Sequence, residues 1–224
     1  MSRFVTRTLN WARPVLAVLA CVAGLWTAAA WGWDKDKLSE TASRYPPKTQ
    51  AAVKAMIQMA ERAATLPDER ERLAMVNDFF NKRVAFKDDM EVWSQIDYWA
   101  TPLEMLDKGA GDCEDYAIGK YMSLQAAGVP SAKLRMVYVR AQFQGRPQAH
   151  MVLAYYAQPE SEPLILDNIN PEVRPASQRS DLTPVFSFNG EGLWTGVGAT
   201  SAGNPLVRLS IWRDLLAKAK AEGF

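Results

Sequence analysis

The chain has 224 residues and a mass of 25.0 kDa, with 48% hydrophobic residues, 26 basic and 25 acidic side chains, and a net charge of +1. That length is enough for one domain with a full core. The charge balance argues against a nucleic-acid partner: no basic stripe interleaves with aromatics, and three arginines, Arg3, Arg7 and Arg13, sit at the N-terminus.

Those arginines precede an apolar run over residues 15–30 that ends in Ala28-Ala29-Ala30. This is the pattern of a secretory signal with a small-residue cleavage site, which assigns residues 1–30 to a signal peptide and residues 31–224 to a single exported domain. An uncleaved anchor is the alternative, because the apolar run reaches Trp33 and a span needs ~20 residues. Lipoprotein processing at Cys21 is disfavoured by the short apolar stretch before it and the apolar residues after it. Export into an oxidising compartment leaves one mature cysteine, Cys113, with no internal disulfide partner. It is then a reactive thiol, half of an intermolecular bridge, or a small buried residue.

Residues 48–66 carry Val53, Met56, Ile57 and Ala60 at helical spacing. Pro67-Asp68 starts a second helix with Leu73, Val76, Phe79 and Phe80 on one face. Residues 84–98 mix aromatic and acidic side chains and read as irregular. Thr101-Pro102 supplies an N-cap and first position for a short helix through Leu106, ended by Gly109-Ala110-Gly111. Residues 112–127 form the next helix, closed by Gly128-Val129-Pro130. The period then changes. Residues 134–140 and 149–156 alternate as strands joined through Gln144-Gly145-Arg146-Pro147. Residues 164–167 and 185–188 are further strands, residues 196–204 a loop of small residues, and residues 206–219 a final amphipathic helix. Helices followed by an antiparallel sheet give the α+β class.

Cys113 falls in the first turn of its helix, where backbone N–H groups and the helix dipole favour a thiolate. Asp112, Glu114 and Asp115 oppose this, since nearby carboxylates raise a thiol pKa. Two readings resolve the conflict. Asp112 is an N-cap paired with Asp115 in a capping-box-like arrangement, or the three carboxylates hold a hard cation, Ca²⁺ rather than zinc. One histidine and no Cys-x-x-Cys disfavour zinc. His150 opens the alternating strand Ala149-His150-Met151-Val152-Leu153, and Asp167 closes the apolar run Leu164-Ile165-Leu166. A carboxylate there is costly without a partner, and adjacent strands would set it against His150. Cys113, His150 and Asp167 thus form a candidate nucleophile, base and orienter. Singly, a surface histidine and a turn-forming Asp-Asn are the plainer readings.

The segments Gly111-Asp112-Cys113-Glu114-Asp115-Tyr116-Ala117, Ala149-His150-Met151-Val152-Leu153 and Leu164-Ile165-Leu166-Asp167-Asn168 resemble the bacterial transglutaminase-like cysteine proteases. The flanking Tyr98-Trp99-Ala100-Thr101-Pro102-Leu103-Glu104 and Asp181-Leu182-Thr183-Pro184-Val185-Phe186-Ser187-Phe188-Asn189 narrow the resemblance to the LapG type, periplasmic adhesin-releasing proteases. It extends from about Lys48 to the C-terminus. The resemblance implies a papain-like, transglutaminase-type core, with Cys113 as nucleophile, His150 as general base and acid, and Asp167 as orienter. It implies calcium dependence, with Asp112 and Glu114 matching the family's acidic residues and Asp115 a further ligand by proximity. It implies a large repeat adhesin as substrate, cut near its N-terminus at a pair of small residues to promote biofilm dispersal. It also implies inhibition by an inner-membrane cyclic di-GMP receptor of the LapD type. The alternatives are transglutaminase-type acyl transfer by the same triad and a non-catalytic calcium-dependent binding module.

Overall fold

The computed structural model describes residues 32–198 and 201–224; the signal-peptide assignment lies outside the described residues. Helix α1 (Lys35–Ala42) starts at Asp34, whose carboxylate accepts the Lys37 N–H. Pro47 at the first turn opens α2 (Pro47–Thr65), which buries Val53, Met56, Ala60 and Ala63 along one stripe. Leu66, extended because Pro67 follows, ends it. The Asp68 side chain caps α3 (Glu69–Arg83) through the Arg70 N–H, with acids in the first turn and Lys82 and Arg83 in the last to match the dipole.

Residues 84–98 are mostly irregular, as their composition predicts, but hold strand β1 (Ala85–Phe86) and a single turn, α4 (Asp89–Val92). A full capping box opens α5 (Pro102–Lys108): Thr101 Oγ1 accepts the Glu104 N–H, and Glu104 accepts the Thr101 N–H. Gly109 ends α5 at φ 67°, where a side chain would be strained. Strand β2 (Ala110–Gly111) pairs in parallel with β1 and leads straight into α6 (Cys113–Ala126). Every residue from Asp115 to Leu124 on α6 is buried, so this helix is the centre of the core.

After α6 come β3 (Leu134–Phe143), β4 (Arg146–Tyr155), β5 (Leu164–Leu166), β6 (Arg174–Pro175), β7 (Leu182–Phe188) and β8 (Leu193–Thr195). They form one antiparallel sheet in the order β6-β5-β4-β3-β7-β8. The β3–β4 turn is only Gln144-Gly145, both at positive φ, so the strands run longer than the sequence predicts. The final helix is two pieces, α7 (Pro205–Arg208) and α8 (Ser210–Glu222), broken at Leu209.

Alternation divides the sheet. Met136, Met151, Leu153 and Tyr155 face the helices; Val137, Val139, Val152, Ala154 and Ile165 form a smaller cluster on the other side. Helix α6 packs directly on β4. Strand β5 pairs with β4 only from Leu153 to Tyr155. Below that pairing the chain leaves β5 and carries Asp167 alongside His150. Among the described residues, no helix is long and apolar enough to cross a membrane.

Candidate active site

Three elements meet at one end of the sheet: the start of α6, the middle of β4 and the end of β5. His150 and Asp167 are 2% and 1% exposed, and His150 Nε2 lies 2.8 Å from Asp167 Oδ1. An ionised carboxylate only accepts, so Nε2 carries the proton and the Nδ1 lone pair is left as the basic site. Asp167 Oδ1 also accepts the Ile169 N–H at 3.1 Å, and Oδ2 accepts from Arg179 Nη2 at 2.6 Å. The Asp-Asn turn expected as the plain reading is therefore present along with the histidine contact. Arg179 is 4% exposed and spans Asp167 and Asp181, which it grips through Nε and Nη2 at 2.9 and 2.8 Å. Sequence reasoning missed it.

Burial pushes the Asp167 carboxyl up, but the hydrogen bonds from His150 and Arg179 outweigh it and hold the group below the usual carboxylate range. A depressed folded-state value stabilises the fold above the unfolded value near 4, and that stability is lost as pH falls through the folded value. Melting temperatures taken between about pH 6 and pH 2 should therefore fall more steeply for the wild type than for Asp167→Asn. Parallel slopes would show that Asp167 titrates alike in both states.

Cys113 is half-buried at the first position of α6. Its sulfur lies by the Met151 N–H, the residue after His150, and its thiol donates to Glu114 Oε2 at 2.9 Å. Burial first, then the charges of Glu114 and Asp112, push the thiol up, and the Met151 N–H opposes them only in part. Burial and the carboxylates thus both oppose the helix-start effect that favours a thiolate.

Asp112 occupies the N-cap position but makes no side-chain cap. The reciprocal arm is present, since Asp115 accepts the Asp112 N–H. Asp115 also accepts the Ala100 N–H at 2.8 Å. Its side chain lies across Gly111, where an added Cβ would meet Asp115 Oδ2 at 2.6 Å, so the glycine is sterically required. The cluster is larger than the sequence indicates. Ligand atoms of Asp89, Asp112 and Asp115 lie within 4.8 Å of one another, as do those of Asp89, Asp97 and Glu114.

Asp89 Oδ1, Asp112 Oδ1 and Asp115 Oδ2 are buried with no hydrogen-bond partner among the described residues. Burial and the neighbouring acids raise Asp112 to about 10 and Asp115 well above its ordinary value. Burial raises Asp89 to about 6, with the Tyr98 N–H pulling the other way. Orphaned buried oxygens of one charge sign are the donor set of a hard cation. The residues present therefore fit Ca²⁺, with Asp89, Asp112 and Asp115 as the inner group and Glu114 and Asp97 adjoining.

The family described as bacterial transglutaminase-like cysteine proteinase, BTLCP, matches residues 42–184. The chain belongs to that family. Solved structures of Legionella pneumophila LapG are similar over 82% of this chain. The EGTA-treated form is 38% identical with a TM-score of 0.73 over 96% of its own chain. The calcium-bound form is 39% identical with a TM-score of 0.70 over 97% of its chain. No curated protein matches the chain. It is thus a LapG-type cysteine protease with an α+β core.

Proposed function

We propose that this protease is a calcium-dependent periplasmic endopeptidase that cuts a large repeat adhesin near its N-terminus. The observation that carries the reading is the buried His150–Asp167 pair, one residue along β4 from the backbone N–H that holds the Cys113 sulfur. In this reading His150 Nδ1 takes the Cys113 proton and the thiolate attacks the scissile carbonyl carbon. The tetrahedral intermediate collapses to a thioester, expelling the amine with the proton from His150. Water, deprotonated by His150, then hydrolyses the thioester and regenerates the thiol. Asp167 holds the ring in the tautomer that leaves Nδ1 free. The Cys113 N–H, at a helix start with no intrahelical acceptor, is one oxyanion donor.

Asp89, Asp112 and Asp115, with Glu114 and Asp97, would hold the calcium ion. Bound there, it supplies positive charge that offsets the acids around the thiol. The orphaned oxygens and the calcium-bound relative support this assignment. The N-terminal arginines, apolar run and Ala28-Ala29-Ala30 support export to the periplasm. Release of the adhesin would promote biofilm dispersal, and an inner-membrane LapD-type receptor that responds to cyclic di-GMP would hold the protease inactive. The adhesin and receptor follow from the family resemblance.

The test is incubation of the protein with the N-terminal region of a large repeat adhesin from the same genome, with calcium or with a chelator. Cleavage is expected only with calcium. Calcium at about 100 times its dissociation constant should also stabilise the fold by about 2.7 kcal/mol, a shift that Asp112→Asn and Asp115→Asn reduce. A labelled primary amine in a parallel reaction separates hydrolysis from acyl transfer. Equal cleavage with calcium and chelator would remove the metal from the reading, and no cleavage of any adhesin would remove the substrate.

A further inference from the structure

Lys120 is 1% exposed, and its Nζ has no hydrogen-bond partner among the described residues. It follows Cys113 on α6 by seven residues. It therefore lies on the same face of the helix, two turns or about 10 Å deeper. The Tyr116 ring is 5.5 Å from the ammonium, and the Asp167 charge acts on it. Helix α3 packs on α6 and carries two amides that reach the segment after β5. Asn77 Nδ2 donates to the Pro171 carbonyl at 2.7 Å and Asn81 Nδ2 to the Asp167 carbonyl at 2.8 Å. These amides thus hold both ends of the 167–171 segment that carries the histidine's partner. Asn77 Oδ1, Asn81 Oδ1 and Asn168 Oδ1 are buried without partners among the described residues.

A buried amine without a hydrogen-bond partner costs stability that methionine would not. Burial pulls Lys120 down to about 7, with Asp167 pulling the other way. No hydrogen bond or ion pair among the described residues accounts for a lysine here, and the Asp167 carboxylate is the charge that acts on it. In a low-dielectric core a charge acts over several ångströms without contact.

We propose that Lys120 is a positioning residue that, with Asn77 and Asn81, forms a polar backing to the 167–171 segment and fixes the Asp167 carboxylate against His150. The inference rests on the catalytic roles proposed for His150 and Asp167. Because His150 is the chain's only histidine, its ring signals are unambiguous when the protein is purified without a polyhistidine tag.

The experiment compares the wild type, Lys120→Met, Asn81→Ala and the double variant, expressed from the full chain. It reads melting temperature, adhesin cleavage and the ¹⁵N-histidine spectrum. Lys120→Met is expected to melt at or above the wild-type temperature and to lose kcat by about 10- to 100-fold, the scale of a misplaced catalytic group. KM should stay the same and the His150 ring signals should shift. Asn81→Ala should move the same signals, and the double variant should lose less than the product of the two. Wild-type kcat and unchanged His150 signals in Lys120→Met would overturn the proposal. If that variant does not fold, unchanged signals in Asn81→Ala would overturn it. If the wild type cuts no adhesin, the substrate reading fails, and the His150 signals alone decide the role of Lys120.

Discussion

Arg179→Met will lower the melting temperature on the order of 10 °C, even though it replaces a charged side chain with an apolar one in a buried site. Arg179 is the cation that Asp167 Oδ2 meets, and both side chains are almost fully buried. Removing one member of such a pair leaves an uncompensated charge, at a cost of about 3 to 5 kcal/mol. In a domain of this size each kcal/mol is roughly 2 to 4 °C. The effect belongs to the stranded carboxylate rather than to lost packing. Adding Asp167→Asn to Arg179→Met should therefore restore much of the stability while leaving the protein inactive. Thermal melts of the two single variants and the double variant give the test. A wild-type melting temperature for Arg179→Met, or a double variant less stable than that single one, would contradict the argument.

Cys113→Ala will reduce cleavage by about a million-fold, to the residual rate that substrate binding and the oxyanion site alone support, and will leave the melting temperature within about 2 °C of wild type. The stability half follows from geometry. The thiol is half-buried, and its hydrogen bond goes to Glu114 at the rim of the acidic cluster. The activity half follows from the proposed thioester: no other cysteine lies in the predicted mature chain, so no neighbour can take over. Side-by-side cleavage assays and melts check both. Cleavage above roughly 1% of wild type by a correctly folded variant would end the assignment of Cys113 as nucleophile.

Much of this arrangement is legible in the sequence where local chemistry dictates local structure. Thr101-Pro102 with Glu104 and Gly109 brackets α5 because capping and left-handed glycine are short-range effects. The alternation through Met151 and Leu153 marks the two faces of β4 because successive side chains of a strand point to opposite sides. Helix α1 escapes notice because it buries little beyond Leu38 and Ala42, and β6 and β8 are too short to show a period.

The site divides in the same way. His150 and Asp167 lie 2.8 Å apart, the first within β4 and the second just past the apolar β5. Arg179 lies in the polar stretch Gln178-Arg179-Ser180-Asp181, where nothing local says that it turns inward. Asp89 and Asp97 sit among aromatics in a segment without periodicity, and long-range contacts, the β1–β2 pairing and the Ala100–Asp115 hydrogen bond, bring that segment to the start of α6. Lys120 did leave a signal: it is the one charge in α6 beyond the first turn, set between Gly119 and Tyr121.

The acidic cluster draws on two stretches of chain, residues 89–97 and residues 112–115, joined by α5 and the short parallel pair. An ion held by both is a crosslink as well as a source of charge. It closes a loop of roughly two dozen residues, and such a closure in a covalent staple removes on the order of 3 kcal/mol of chain entropy from the unfolded state. Its loss would be felt first within that loop, as fraying of Tyr98-Trp99-Ala100 away from Asp115, while the α6–β4 core stayed closed. The ion would then govern the fold of the segment beside Cys113, and the protein bathed in chelator would be cut by an added protease between residues 88 and 100 before it melted.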